Sequence, residues 1–195
     1  MAKLRLKITL NSPAVLGFAA VCLAAMGLDL LTHGRTNILL FSVYPASLLS
    51  PLTWIRFVTH VFGHADWDHL LGNMMYFLIL GPMLEEKYGT GRLITVMLVT
   101  ALVTGVLSFF LFPGVRLLGA SGIVFAFILL SSITQGSRGE IPLTFLLVAA
   151  IYIGQQLYTG LFIKDNVSQL THVAGGVVGT VLGFYMNARD KKAGH

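Results

Sequence analysis

Four side chains are of types that together could hydrolyse an acyl bond: Ser121 within Gly119-Ala120-Ser121-Gly122, His172, and the pair His69 and Asn73. A serine hydroxyl is a poor nucleophile at neutral pH and needs a base within about 2.6 to 3.2 Å, which an imidazole supplies. His172 is the candidate base. At the first turn of a helix, the free amides of Ser121 and Gly122 point toward any oxyanion formed on attack, and the helix dipole adds to that attraction. The two glycines that flank Ala120-Ser121 in this motif would let a substrate backbone come close. His69 and Asn73 stand at i and i+4, so they leave one helix face together and offer donors for an oxyanion hole.

Each feature also has a plainer reading. Small residues such as Gly-Ala-Ser-Gly are how membrane helices pack, His172 and Asn73 suit interhelical hydrogen bonds, and His69 suits a cap near water. His60 and His64 have the i, i+4 spacing of metal ligands. However, no HExxH motif is present, and no cysteine or carboxylate falls at a matching spacing inside an apolar segment, so neither metal nor other cofactor is expected. The eight acids, Asp29, Asp66, Asp68, Glu85, Glu86, Glu140, Asp165 and Asp190, all avoid the interiors of the apolar segments. A Ser-His dyad is therefore expected in place of a buried triad, with Asp66 and Asp68 helping His69 or keeping the interface wet.

The elements that must position these groups are apolar. Of 195 residues, 55% are hydrophobic and 11% charged, with a mean hydropathy of +0.80. A soluble domain carries about 25% charged residues, so a soluble globular fold is excluded. A bilayer-spanning helix needs about 20 apolar residues, which leaves room for a single integral-membrane domain over 1–195. Six helical spans are expected, at about 12–31, 67–88, 92–112, 118–135, 141–162 and 169–187. The basic start MAKLRLK before the first run fits a signal peptide or a retained anchor, and the anchor is preferred. The connection Thr32 to Asp66 is too apolar for a solvated loop and is interrupted by Pro45 and Pro51; Trp54 and Arg56 suit a segment lying in the membrane interface. The single Cys22 excludes an intrachain disulfide.

The net charge of +5 is informative only once its residues are assigned to sides. With six spans, Lys3, Arg5, Lys7, Lys87, Arg92, Arg138, Arg189, Lys191 and Lys192 share one side, nine of the 13 basic residues. The positive-inside rule then puts both termini in the cytoplasm and leaves Arg35, Arg56, Arg116 and Lys164 outside. The basic excess thus faces the membrane, and no nucleic acid partner is expected. Spans two, four and six begin at the external face, which brings His69, Asn73, Ser121 and His172 to one leaflet. His172, Gly175, Gly179 and Gly183 form one stripe, which would hold the histidine against Ser121 if it packs on the span carrying Gly122 and Ala126.

With these residues in hand, the chain resembles the rhomboid intramembrane serine proteases over nearly its whole length: the Trp54 to Arg56 region, His69-Leu70-Leu71-Gly72-Asn73, the Glu85 to Gly89 turn, the motif at Ser121, and His172-Val173-Ala174-Gly175 with Gly179. The resemblance implies an all-α, six-helix rhomboid-type bundle with a membrane-embedded hairpin between helices 1 and 2. It also implies that Ser121 is the nucleophile, that His172 is the base, and that His69 and Asn73 stabilise the oxyanion. Span five and the following loop would control substrate access, and the substrates would be membrane proteins cleaved in or near a transmembrane helix. The compact form suggests a prokaryotic inner membrane by analogy. Four positions depart from the family pattern: Ile55 separates Trp54 from Arg56, Thr171 replaces an alanine, Gly72 stands for a larger apolar residue, and Phe125 stands where tyrosine commonly stacks on the histidine. A phenyl ring can stack but donates no hydrogen bond, so weaker fixation of His172 is expected. Rival classes are a non-catalytic membrane-protein binder and a small transporter. Substrate identity and oligomeric state are not legible.

Overall fold

A computed structural model describes residues 9–134, 140–162 and 166–193. The described elements are helical: α1 (Pro13–Leu31), α2 (Arg35–Leu40), α3 (Pro51–Thr59) continued by a 3-10 turn (His60–Phe62), α4 (Trp67–Tyr88), α5 (Thr90–Leu111), α6 (Ser121–Ser132), α7 (Leu143–Phe162) and α8 (Asn166–Ala193). Among the described residues β-pairing is confined to one isolated bridge, Val43 with Leu117. Lys3, Arg5, Lys7, Arg138 and Lys164, used above to assign sides, lie outside the described residues, as does Gln135 at the end of the fourth apolar segment.

By length and composition α1 and α5 are apolar enough to cross a membrane, and α6 is a shorter apolar helix. The helices pack through Val15, Phe18, Phe77, Ile123, Phe127 and Leu130, all buried, while Leu23, Ile79, Leu98, Leu147 and Val181 remain exposed on their outer faces. A soluble protein does not leave such faces to water.

Local chemistry explains the helix limits. Pro13 at the start of α1 needs no N–H partner there, and the next two amides, Ala14 and Val15, donate to the buried Glu85 carboxylate at 3.0 and 3.1 Å. Thr90 Oγ1 donates to the same carboxylate at 2.7 Å. The Glu85 to Gly89 turn therefore works as a remote cap that ties α1 to α4. At that end Tyr88 and Asn187 share a 3.0 Å hydrogen bond, and Asn187 Nδ2 donates to the Ile133 carbonyl at 2.9 Å, which ties α8 to α4 and α6.

The segment between α1 and α4 folds as a hairpin against α5. Phe57 meets Gly105 so closely that a Cβ there would lie 2.7 Å from the Phe57 carbonyl oxygen. Trp54 and Arg56 do not share one environment within this hairpin. Arg56 is buried, its Nε donates to the Leu39 carbonyl at 2.8 Å, and its guanidinium lies 4.5 Å from the Tyr44 ring centroid. Trp54 is exposed, so the intervening Ile55 sends the two side chains to different environments and leaves Arg56 docked.

Candidate active site

The segment before Ser121 is held by the hairpin. Val43 and Leu117 exchange backbone hydrogen bonds of 2.8 and 2.9 Å, and the Gly119 amide donates to the His60 carbonyl at 3.0 Å. Leu117 is thus held in a bridge, Ala120 turns the chain as the N-cap, and α6 starts at Ser121, three residues later than the apolar pattern suggested. Gly119 has φ +121°, which side-chain-bearing residues rarely adopt, and a Cβ there would lie 2.7 Å from His69 Nε2. The space that the flanking glycines provide is therefore taken by the protein itself: His69 fills it at Gly119, and Thr104 of α5 lies 3.1 Å from where a Gly122 Cβ would be.

His69 and Asn73 occupy the first two turns of α4. Asp66 is its N-cap, with the carboxylate accepting the His69 amide at 2.7 Å. The acid assists the histidine through its backbone, the ordinary capping role. Asn73 is buried, and its Nδ2 makes no hydrogen bond to a described residue.

His172 comes from α8, whose small-residue stripe packs on α6. A Cβ on Gly175 would collide with the Gly122 backbone, and one on Gly179 with the Ala126 backbone, so only hydrogen fits at either position. Gly183 continues the contact against Ile133 and Leu130. This is the close approach anticipated from the spacing. The His172 ring packs on Phe125 at 4.3 Å between centroids, so the phenyl ring does stack. Tyr152 of α7 lies on Phe125 in turn at 4.6 Å. Sequence reasoning missed Tyr152, which sits in an apolar run with no polar spacing to mark it.

His69, Asn73, Ser121, Phe125, Thr171 and His172 line one cavity of about 480 Å³, with Gln155 of α7 also on its wall. The structure thus brings together the residues selected for hydrolysis. It separates His60 and His64 instead of converging them: His60 Nε2 lies 3.3 Å from Thr104 Oγ1 on α5, whereas the His64 ring packs edge-on to His69 at 5.0 Å. Among the described residues no group of three or more His, Cys, Asp or Glu side chains could hold a metal ion.

Comparison with known proteins bears on this arrangement. The Rhomboid domain family model matches residues 51–189. The chain is 27% identical over 175 residues to "Rhomboid-like protein 11, chloroplastic" of Arabidopsis thaliana, covering 87% of this chain and 56% of that one. It is 27% identical over 179 residues to "Rhomboid protease GlpG" of Yersinia pestis (strain Pestoides F), covering 89% and 62%. The protein of the same name in Yersinia enterocolitica is 26% identical over 186 residues, covering 92% and 65%. The chain therefore spans less than two thirds of the length of these relatives. The family match extends from the start of α3 into the last turns of α8, across every element that builds the cavity, and by that match the chain belongs to the rhomboid family.

Proposed function

We propose that this chain is an intramembrane serine endopeptidase that hydrolyses peptide bonds in or near transmembrane segments of membrane-protein substrates. Ser121 Oγ attacks the scissile carbonyl while His172 takes its proton. The Ser121 and Gly122 amides with His69 and Asn73 hold the oxyanion, and His172 returns the proton to the leaving amine as the C–N bond breaks. Water then cleaves the acyl-enzyme by the same exchange. The observation that carries this reading is the convergence of Ser121, Asn73, His69 and His172, from three helices distant in sequence, on one cavity.

The same reading makes 1–195 a single integral-membrane domain that crosses the bilayer six times through α1, α4, α5, α6, α7 and α8. Both termini lie in the cytoplasm, the cavity opens toward the external face, and a prokaryotic inner membrane is the setting by analogy with the compact form of the chain. The length of α6 supports the depth of the site. Twelve helical residues rise about 18 Å, short of the roughly 30 Å hydrocarbon core, so with the Ser132 end of α6 at the cytoplasmic side Ser121 lies below the external surface and water must reach it through the cavity. Polar groups at that depth are tolerated where they line such a cavity.

Covalent labelling of the purified protein by a serine-directed fluorophosphonate tests the reading. Wild type labels, and Ser121→Ala and His172→Ala do not while melting like wild type. A folded wild type that fails to label, beside a reactive family member that does, would favour a non-catalytic binding protein.

A further inference from the structure

No side-chain hydrogen bond to a described residue orients the His69 ring. Its orientation is left to packing, between the Gly119 backbone on the α6 side and the edge-on ring of His64, inclined at 70°. His64 is 1% exposed, so its ring is fixed in the interior and not carried on a solvated loop. What fixes it begins at the far end of α1. Asp29 uses both carboxylate oxygens on Asn37, one accepting the backbone amide at 2.7 Å and the other the side-chain Nδ2 at 2.8 Å. Asn37 Nδ2 also donates to the His64 carbonyl at 2.9 Å. Beside it Gly63 lies so close to α2 that a Cβ would stand 2.9 Å from Asn37 Oδ1. His64 Nδ1 is 3.2 Å from the Phe62 carbonyl, and its Nε2 is buried without a partner among the described residues, so it is the ring's position and not a second hydrogen bond that the protein preserves.

We infer that Asp29, Asn37 and His64 are positioning residues: a carboxylate-carboxamide clasp on the hairpin sets the His64 ring, and that ring sets the plane of His69 for the oxyanion. The inference rests on the reading of His69 given under Proposed function. Its physical basis is that a donor contributes only when aimed at the developing charge, and that a displacement of about 1 Å can cost on the order of 100-fold in rate.

The test uses the full-length protein and an alkyl fluorophosphonate, whose phosphoryl oxygen takes the place of the carbonyl oxygen. Final labelling amplitude reports the folded, competent fraction, while the saturating rate and the half-saturating concentration report chemistry and binding separately. His64→Leu keeps bulk but loses the flat ring, and its saturating rate falls about 10- to 100-fold with half-saturation unchanged. His64→Phe restores the ring and recovers the rate to within about threefold. Asn37→Ala falls between them. In a His69→Ala background His64→Leu has no further effect, because coupled residues are not additive. Equal rates for His64→Leu and wild type, failure of His64→Phe to recover, or a full His64→Leu effect without His69 would each overturn the inference. Where Asn37→Ala does not fold, the two His64 variants decide. Failure of wild type to label removes the serine chemistry and the inference with it, whereas labelling of wild type with silent His64 variants removes the inference alone.

Discussion

The two ends of the bundle differ in how they use their buried carboxylate and amide side chains, although each also holds a buried polar atom without a partner among the described residues, Ser12 Oγ at the first. Where α1 begins, Glu85 accepts from two backbone amides and a hydroxyl, and Asn187 uses both ends of its carboxamide, to Tyr88 and to the Ile133 carbonyl. Where α1 ends, Asn73 Nδ2 and His64 Nε2 are buried without partners among the described residues, and a cavity opens between α4, α6, α7 and α8. An unsatisfied buried polar group costs about 1–3 kcal/mol. The first end is a fastening; the second bears that cost beside Ser121, where an incoming carbonyl could use the spare donor.

The contrast breaks most sharply at the proposed dyad. Ser121→Ala or His172→Ala should lower cleavage of a transmembrane reporter at least about a thousandfold with melting unchanged, and wild-type cleavage by either variant would end the dyad reading. Next comes Asn73→Ala. Because its Nδ2 forms no hydrogen bond to a described residue, deletion should cost little stability but about 100-fold in turnover; an unchanged rate removes Asn73 from the oxyanion hole. Glu85→Ala should do the reverse, destabilising by about 3 kcal/mol while turnover per labelled site stays normal, as read by thermal melting beside active-site labelling. A variant with wild-type melting and slow turnover per site would show that the ends are not separable.

The smallest effect is confined to acid. Burial, and then the neighbouring His69, pushes His64 down from its usual 6.5 to about 4. The folded protein keeps it neutral where the unfolded chain takes up a proton. Its contribution is therefore complete above pH 6.5 and is lost as pH falls toward 4. His64→Phe should lessen the fall in melting temperature across that interval without abolishing it, because buried His60 is likewise held down to about 4, and an unaltered acid sensitivity would assign the whole effect to other groups.

What could be read from the sequence was what repeats along a helix. The stripe through Gly175, Gly179 and Gly183 announced close packing on Gly122 and Ala126, and the i, i+4 pair His69 and Asn73 announced a shared face, because both follow from 3.6 residues per turn. The start of α6 was less legible. Leu117 and Leu118 are as apolar as the helix, and only pairing with Val43, 74 residues earlier, makes them extended. Side chains that bond distant backbone leave no periodic trace, so Glu85 at the start of α1 and Asn37 at the His64 carbonyl became visible only in three dimensions. Nor did the pairing of Trp54 with Arg56 reveal that Tyr44 and the Leu39 carbonyl hold the arginine inside the protein.

The glycine contact between α6 and α8 also bears on how the protein is made. Synthesis runs from the N-terminus, and a domain folds as a unit. The hairpin, α4 and α6 all precede α8 in the chain, so Ser121 is synthesised well before His172. A chain at that stage carries the proposed nucleophile without its base. Under the proposed mechanism, hydrolytic competence is acquired last, in the step that seats Gly175 and Gly179 on the backbone of α6.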